Sequence, residues 1–426
     1  MIRIFNYGEV PNDKIFARRG SAADVEGVVA EIIAQVVKSG DEALRAYTKK
    51  FDHVELDSLE VSQAEFDEAL ASIEPAFLEI LQEAADNIRS YHEKQVRRDY
   101  LMSERDGVIL GQKITPIEKV GLYVPNGTAA YPSTVLMDSI PAKIAGCREL
   151  IMVTPPSRDG RVDPGILAAA HVAGIDRVFK VGGAQAVAAL AYGTESIPAV
   201  YKIVGPGNAY VAEAKKQVYG KVAIDVVAGP SEVLAVANDS CDARIVAADL
   251  LSQAEHDVMS TAVLVTDSRD FAEKVGAEID RQLPLLPRCD IARASIENNG
   301  MIIVADSLDF AIEIANEIAP EHLELCMDEP FAYLDKVKNA GSIFLGKNCP
   351  EALGDYMAGP NHTLPTGGIA KFASPLSVDD FVKKSQFTYY TGEALEKIAG
   401  KIAVFARKEG LEGHARSVLS RFEETL

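Results

Sequence analysis

Val120-Gly-Leu-Tyr-Val-Pro125, Glu149-Leu-Ile-Met-Val-Thr-Pro155, Arg177-Val-Phe-Lys-Val-Gly-Gly183, Ala199-Val-Tyr-Lys-Ile-Val-Gly-Pro206 and Ala223-Ile-Asp-Val-Val-Ala-Gly-Pro230 are short apolar runs closed by Gly or Pro, and helical patterns follow them. Strands that alternate with helices predict a largely parallel, doubly wound sheet, so the expected class is α/β. Downstream, Thr261-Ala-Val-Leu-Val-Thr-Asp-Ser-Arg-Asp-Phe-Ala272 resembles Gly300-Met-Ile-Ile-Val-Ala-Asp-Ser-Leu-Asp-Phe-Ala311. Each copy reads as a buried strand ending at an Asp-Ser helix cap, with a further Asp in the first turn to favour the helix dipole. A repeated βα scaffold unit explains it, and a second α/β region is expected there.

Upstream, apolar residues recur at three- and four-residue steps through Val25, Val28, Val29, Ile32, Ile33, Val36 and Val37 until Gly40 interrupts them, so residues 22–98 read as helical. From Ser377 onward the pattern is again read as helical. It is rich in charge and has too few apolar residues for its own core, which predicts packing on another domain or subunit.

At 426 residues the chain exceeds one typical core. A net charge of -20 excludes a nucleic-acid binder, since phosphate backbones require clustered Lys and Arg. Neither a signal peptide nor a membrane-spanning run is read, and the five scattered cysteines suit a reducing cytoplasm.

Two glycine-rich junctions could hold a dinucleotide: Val181-Gly-Gly-Ala-Gln185 and Val204-Gly-Pro-Gly-Asn208. A glycine turn at a helix N-terminus presents backbone N–H groups to a pyrophosphate. Neither is a complete Gly-x-Gly-x-x-Gly: Tyr210 stands where the third glycine belongs, and no ribose-binding acid is evident. Tight structural turns are the commoner explanation of such junctions.

Four polar clusters punctuate an otherwise quiet chain. In Asp249-Leu-Leu-Ser-Gln253-Ala-Glu-His256, the i, i+3 spacing sets Gln253 and His256 on one helical face, able to share a metal. Pro320-Glu321-His322 places a carboxylate beside an imidazole, the pairing that general acid–base work needs. The loop Gly354-Asp355-Tyr-Met-Ala-Gly-Pro-Asn-His362-Thr-Leu-Pro-Thr-Gly-Gly368 offers Asp355 and His362, and Glu409-Gly-Leu-Glu-Gly-His414 offers a last pair. Capping, core hydrogen bonds or surface pairs would explain any one of them alone.

Together, in this order, these clusters resemble the histidinol dehydrogenase family, and the resemblance runs through Val120–Pro125, Ser133-Thr-Val-Leu-Met, Gly205–Val211, Ala228-Gly-Pro-Ser-Glu232, Asp249–His256, Ala319–Glu324, the Gly354 loop and Glu409–His414. It implies one zinc per subunit, held by Gln253, His256, Asp355 and His414. It makes His322 the base that takes the substrate's hydroxyl proton and Glu321 the carboxylate that activates water. It assigns Ser231, Gln253, His256, His322, Asp355, His362, Glu409 and His414 to substrate binding, and Tyr123, Gln185 and Asn208 to NAD. The implied reaction is oxidation of L-histidinol through histidinal to L-histidine with two NAD, in a cytoplasmic, intertwined homodimer whose C-terminal segment completes the neighbour's site. Neither nucleic acid nor membrane is an expected partner.

The implied fold is two incomplete, doubly wound Rossmann-like domains plus small helical N- and C-terminal extensions. The expected division is an arm over 1–19, a discontinuous domain over 20–118 and 232–376 bearing most of the zinc site, an NAD-binding domain over 119–231, and a helical segment over 377–426. Asn126, Asp257 and Lys371 depart from the family pattern, and none of them is a proposed ligand or base. The nearest rival is a paralogue with the same zinc and NAD chemistry on another small alcohol. More distant readings are a thiol-dependent aldehyde dehydrogenase using Cys349 and a zinc hydrolase needing no NAD.

Overall fold

The computed structural model describes residues 1–16, 25–126, 130–227 and 229–422. Parts of the expected N-terminal arm and of the 22–98 helical stretch, Ala228 of the quoted motif, and the last four residues lie outside these. The chain divides into two compact units: Met1–Gln95 with Ile117–Phe381, and Val96–Pro116 with Val382–Leu426.

In the first unit, strands Lys119–Tyr123, Glu149–Thr154, Arg177–Lys180, Lys202–Val204 and Ala223–Ile224 form one parallel sheet. Arg177–Lys180 lies at one edge, followed by Glu149–Thr154, Lys119–Tyr123, Lys202–Val204 and Ala223–Ile224. The chain thus starts in the middle, winds one way, then reverses, as doubly wound sheets do. Leu150, Ile151, Met152 and Val153 are all fully buried, as expected of a parallel strand covered on both faces.

The second sheet is also parallel and repeats the plan. Its order is Arg3–Asn6, Met301–Val304, Thr261–Thr266, Glu232–Ala237, His322–Cys326, Ser342–Leu345. The internal repeat forms two strand–cap–helix units: Ser268 Oγ accepts from Phe271 N and Ser307 Oγ from Phe310 N, each at 3.2 Å. The arm contributes an edge strand, Arg3–Asn6, to this sheet.

Two expectations change. Residues 20–118 were expected to join the second sheet, but helices Glu26–Phe51, Gln63–Ser72 and Pro75–His92 share cores with the first. Leu81, Ala85 and Ile88 pack with Val120 and Leu122, and Val29, Ile33 and Leu44 with Ile151, Val153 and Phe179. The reason lies in the helices between them. Pro164–Ala173 and Gly183–Tyr192 are apolar nearly all round, with Ala184 through Ala191 all buried, so each needs an outer helical layer. Gly40 breaks the first helix at φ 50°, and helix resumes to Phe51.

The second unit holds the other change. Val382–Tyr390 is a strand, pairing antiparallel with Val108–Pro116, which in turn pairs with Tyr100–Arg105. Its Phe387-Thr-Tyr-Tyr390 end favours a pleated strand over the helix read from its charges. Helices Gly392–Lys408 and Glu412–Leu419 meet over a small cluster of Ala403, Ala406 and Ala415 with Leu419 packed against it, leaving Val404 and Phe405 exposed.

Candidate active site

Strand periodicity turns His322, Glu324 and Cys326 to one face of the second sheet. The parallel neighbour begins at Glu232, and this amino edge organises the imidazole. Glu232 O lies 3.0 Å from His322 Nδ1, and Glu232 N donates to Glu321 Oε2 at 2.8 Å. A carbonyl only accepts, so Nδ1 carries the proton and Nε2 keeps its lone pair. That Nε2 is buried without a hydrogen-bond partner, 3.9 Å from Asp355 Oδ1. Ser231 immediately precedes the same strand, its carbonyl accepting from Thr261 N.

The chain enters this edge under strain. Helix Leu308–Ile318 ends at Ala319, whose φ of 52° is unusual for a residue with a Cβ, and Pro320 follows. Gly341 passes close by: a Cβ there would fall 2.5 Å from Glu321 O.

Asp355 comes from the short helix Glu351–Tyr356, where Glu351 and Asp355 share a face at i, i+4. Gly354 lets that helix press on the second sheet, since a Cβ would lie 2.6 Å from the Phe344 ring. Helix Ala243–Ala254 brings Gln253. It ends two residues before His256, which sits on the turn beyond rather than on the expected helix. Ligand atoms of His256, Glu351 and Asp355 lie within 4.8 Å of one another. His362 closes the cluster, its Nδ1 3.6 Å from Asp355 Oδ1 and its Nε2 3.3 Å from Thr134 Oγ1.

The electrostatics follow from burial. Burial, reinforced by Glu232, Asp355 and Glu351, raises Glu321 well above the ordinary carboxylate range, although the hydrogen bond from Glu232 N opposes this. Glu351 is pushed up to about 8, first by burial and then by Asp355. His322 and His362 are lowered by burial, which favours the neutral imidazoles. Gln253 is buried with its Oε1 unpartnered. Crowded carboxyls, neutral imidazoles and an orphaned amide oxygen form a donor set that fits a divalent cation.

Glu351 and Glu232 were not among the residues singled out from sequence. The i, i+4 step back from Asp355 would have found Glu351; Glu232 stood in the sequence only as the end of the Ala228–Glu232 match, with no role, and the register of two parallel strands brings it to His322. Glu409 and His414 belong to the second unit, where both are exposed.

The NAD candidates stand at the carboxyl ends of the first sheet. Tyr123 is buried, its hydroxyl accepting from Gly183 N at 3.0 Å, and burial pushes it up to about 12. Gln185 is buried in the first turn of Gly183–Tyr192. Asn208 caps Ala209–Val218, its Oδ1 accepting from Tyr210 N and Val211 N at 3.0 and 3.2 Å. A cavity of about 300 Å³, walled by Leu81, Ile88, Pro132 and Leu136, reaches His256 and Asp355.

Fold and site together define a doubly wound α/β protein with a buried imidazole–carboxylate centre suited to acid–base chemistry beside a metal. The family model for histidinol dehydrogenase matches residues 17–422. Histidinol dehydrogenase of Bacillus cereus is 57% identical over 400 residues, spanning 94% of this chain and 93% of its own. That of Clostridium acetobutylicum is 50% identical over 428 residues, with 99% of each chain covered. The crystal structure of the Elizabethkingia anophelis histidinol dehydrogenase superposes with a TM-score of 0.93 at 38% identity, covering 99% of this chain and 98% of that one. The chain belongs to the histidinol dehydrogenase family, NAD-dependent, metal-binding oxidoreductases that catalyse the final steps of histidine biosynthesis.

Proposed function

We propose that this chain oxidises L-histidinol through histidinal to L-histidine with two NAD and one zinc per subunit. The observation that carries the reading is His322: a buried imidazole whose Nδ1 is fixed by Glu232 O, and whose unpartnered Nε2 lies 3.9 Å from Asp355 Oδ1, itself clustered with His256 and Glu351.

Gln253, His256 and Asp355 would hold the zinc, with the partner subunit's His414 as fourth ligand; when bound, it orients the substrate's amine and imidazole nitrogens. His322 Nε2 takes the hydroxyl proton as the carbon-bound hydride leaves for nicotinamide, giving the aldehyde. Water then adds to the aldehyde carbon, Glu321 takes one of its protons, and a second hydride leaves to give the carboxylic acid, which ionises to the carboxylate by releasing the remaining proton to solvent. Burial of Glu321 and His322 keeps bulk water from the aldehyde between the two steps. Ser231, His362 and the partner subunit's Glu409 position the substrate; Tyr123, Gln185 and Asn208 hold NAD.

A second copy completing the site is supported by the thin core of the 382–426 segment and the exposure of His414 and Glu409 in a single chain. A reducing, cytoplasmic setting is supported by five free thiols. Among the described residues, no helix is long and apolar enough to cross a membrane.

Steady-state assay with L-histidinol should give two NADH per substrate consumed, in a protein whose metal analysis shows one zinc per chain. Absence of NADH from L-histidinol, with turnover of another alcohol, would move the reading to the paralogue.

A further inference from the structure

The loop carrying His362 is tied on both sides to one helix, Pro132–Ala145. Asn361 Nδ2 donates to Met137 O, and Thr363 Oγ1 donates to Asp138 Oδ1, each at 2.7 Å. The same helix supplies Thr134, which meets His362 Nε2. Thr134, Asp138, Asn361 and Thr363 are all buried, so these bonds are shielded from competing water.

Asp138 has a second, unused oxygen. Its Oδ2 is buried with no hydrogen-bond partner, and it faces Gly205: a Cβ on Gly205 would lie 3.0 Å from it and 2.1 Å from Tyr123 O. Gly205 is itself clamped, its N donating to Asp225 Oδ2 at 2.8 Å and its O accepting from Lys215 Nζ at 2.9 Å. Lys215 and Asp225 form a buried ion pair. Gly205 opens the Gly205-Pro-Gly-Asn208 turn where the winding of the first sheet reverses. One carboxyl therefore stands between that turn and the loop of His362. Burial and the charge of Asp225 push Asp138 up to about 8, so near neutrality it can sit there uncharged.

We infer that Asp138 is a positioning residue that couples the substrate loop at His362 to the dinucleotide turn at Gly205–Asn208, keeping hydride donor and acceptor in register. The coupling rests on the proposed roles of His362 and that turn. A displacement of about 1 Å at reacting atoms can cost about 10²-fold in rate, so a buried tie of this kind has leverage on turnover.

Four holoenzyme variants test it: Thr363→Val, Asp138→Ala, Asp138→Asn and His362→Asn. KM for L-histidinol is read from initial rates, Kd for NAD by calorimetry, and zinc content and Tm serve as controls. Thr363→Val should raise the histidinol KM about tenfold and leave NAD affinity unchanged, as loss of one buried hydrogen bond predicts. Asp138→Ala should weaken both. Asp138→Asn, which keeps the acceptor for Thr363, should restore the histidinol KM to within about threefold of wild type. Zinc content should hold throughout.

Coupling is overturned if His362→Asn raises the histidinol KM while Thr363→Val does not, or if Asp138→Ala lowers Tm with both binding constants at wild-type values. If His362→Asn leaves the histidinol KM unchanged, the substrate role of His362 fails first, and the coupling loses its substrate arm with it. Should Asp138→Ala not fold, Thr363→Val and Asp138→Asn decide the outcome between them.

Discussion

The two parallel sheets share one winding plan, yet the groups proposed to act on each stand at opposite ends. In the first sheet, the carboxyl ends of Arg177–Lys180 and Lys202–Val204 open onto glycine turns, with Gly183 at φ 66° and Gly205 at φ 116°. In the second, the corresponding ends run into Asn238-Asp-Ser-Cys241, which has no glycine. Asp249, Glu324 and Cys326 gather there, their ligand atoms within 4.8 Å of one another. Side chains fill the place where a ligand backbone would have to approach. The proposed acid–base pair, Glu321 and His322, stands at the amino edge instead. Strand order alone therefore does not locate a site; the turns and edges that follow each strand do.

The largest test of this contrast is at the amino edge. His322→Gln should cut alcohol oxidation by about 10²–10⁴-fold, the usual worth of a positioned base. Zinc content should stay at wild-type level, and retention of full turnover would remove the amino edge from the chemistry.

Glu321→Gln separates the two half-reactions. The aldehyde step should fall about 10²-fold while the alcohol step stays within about threefold, so histidinal accumulates. The sign with pH follows from the raised acid: Glu321 accepts a proton only when ionised, so in the wild type the aldehyde step should quicken as pH rises beyond the ordinary carboxylate range. His322 shifts the opposite way, lowered by burial below the usual imidazole range, so the alcohol step should reach its plateau at lower pH than the aldehyde step. Equal pH profiles for the two steps would contradict the division of labour.

At the other sheet, Gly205→Ala forces a Cβ against Tyr123 O at a backbone angle that favours glycine. Weaker NAD binding and a lower Tm should follow, with a smaller change in histidinol KM measured at saturating NAD. An effect on histidinol alone would reverse the roles given to the two sheets. The smallest expected effect is at Cys349, half-buried in the turn before Glu351–Tyr356. Cys349→Ala should keep activity within about twofold, whereas its loss would revive a thiol nucleophile.

Much of this was legible in the chain. Glycine- and proline-ended apolar runs gave the first sheet, because a parallel strand covered on both faces must be continuously apolar. The 261–311 repeat gave two units of the second sheet through its Asp-Ser caps. Gln253, His256, Asp355, His322 and His362 were visible as polar residues in punctuated surroundings; His256, His322 and His362 lie around Asp355, and Gln253 is buried with its Oε1 unpartnered. The helices of 26–92 were read correctly as helices but not by partner, because an amphipathic stripe says that a face is buried and not against what. Val382–Tyr390 was misread because its charges suit an exposed strand as well as a helix.

By itself the sequence determined the α/β class, the periodicities and the residue types able to bind a metal or move a proton, since these depend on neighbours a few positions apart. Only the tertiary structure decided that Glu232 O fixes the His322 tautomer, that Glu351 joins His256 and Asp355, and that Asp138 stands between Thr363 and Gly205. Those contacts span 90, 95 and 225 positions of chain. Strand register and helix packing bring them together, and no local pattern encodes a distance of that kind.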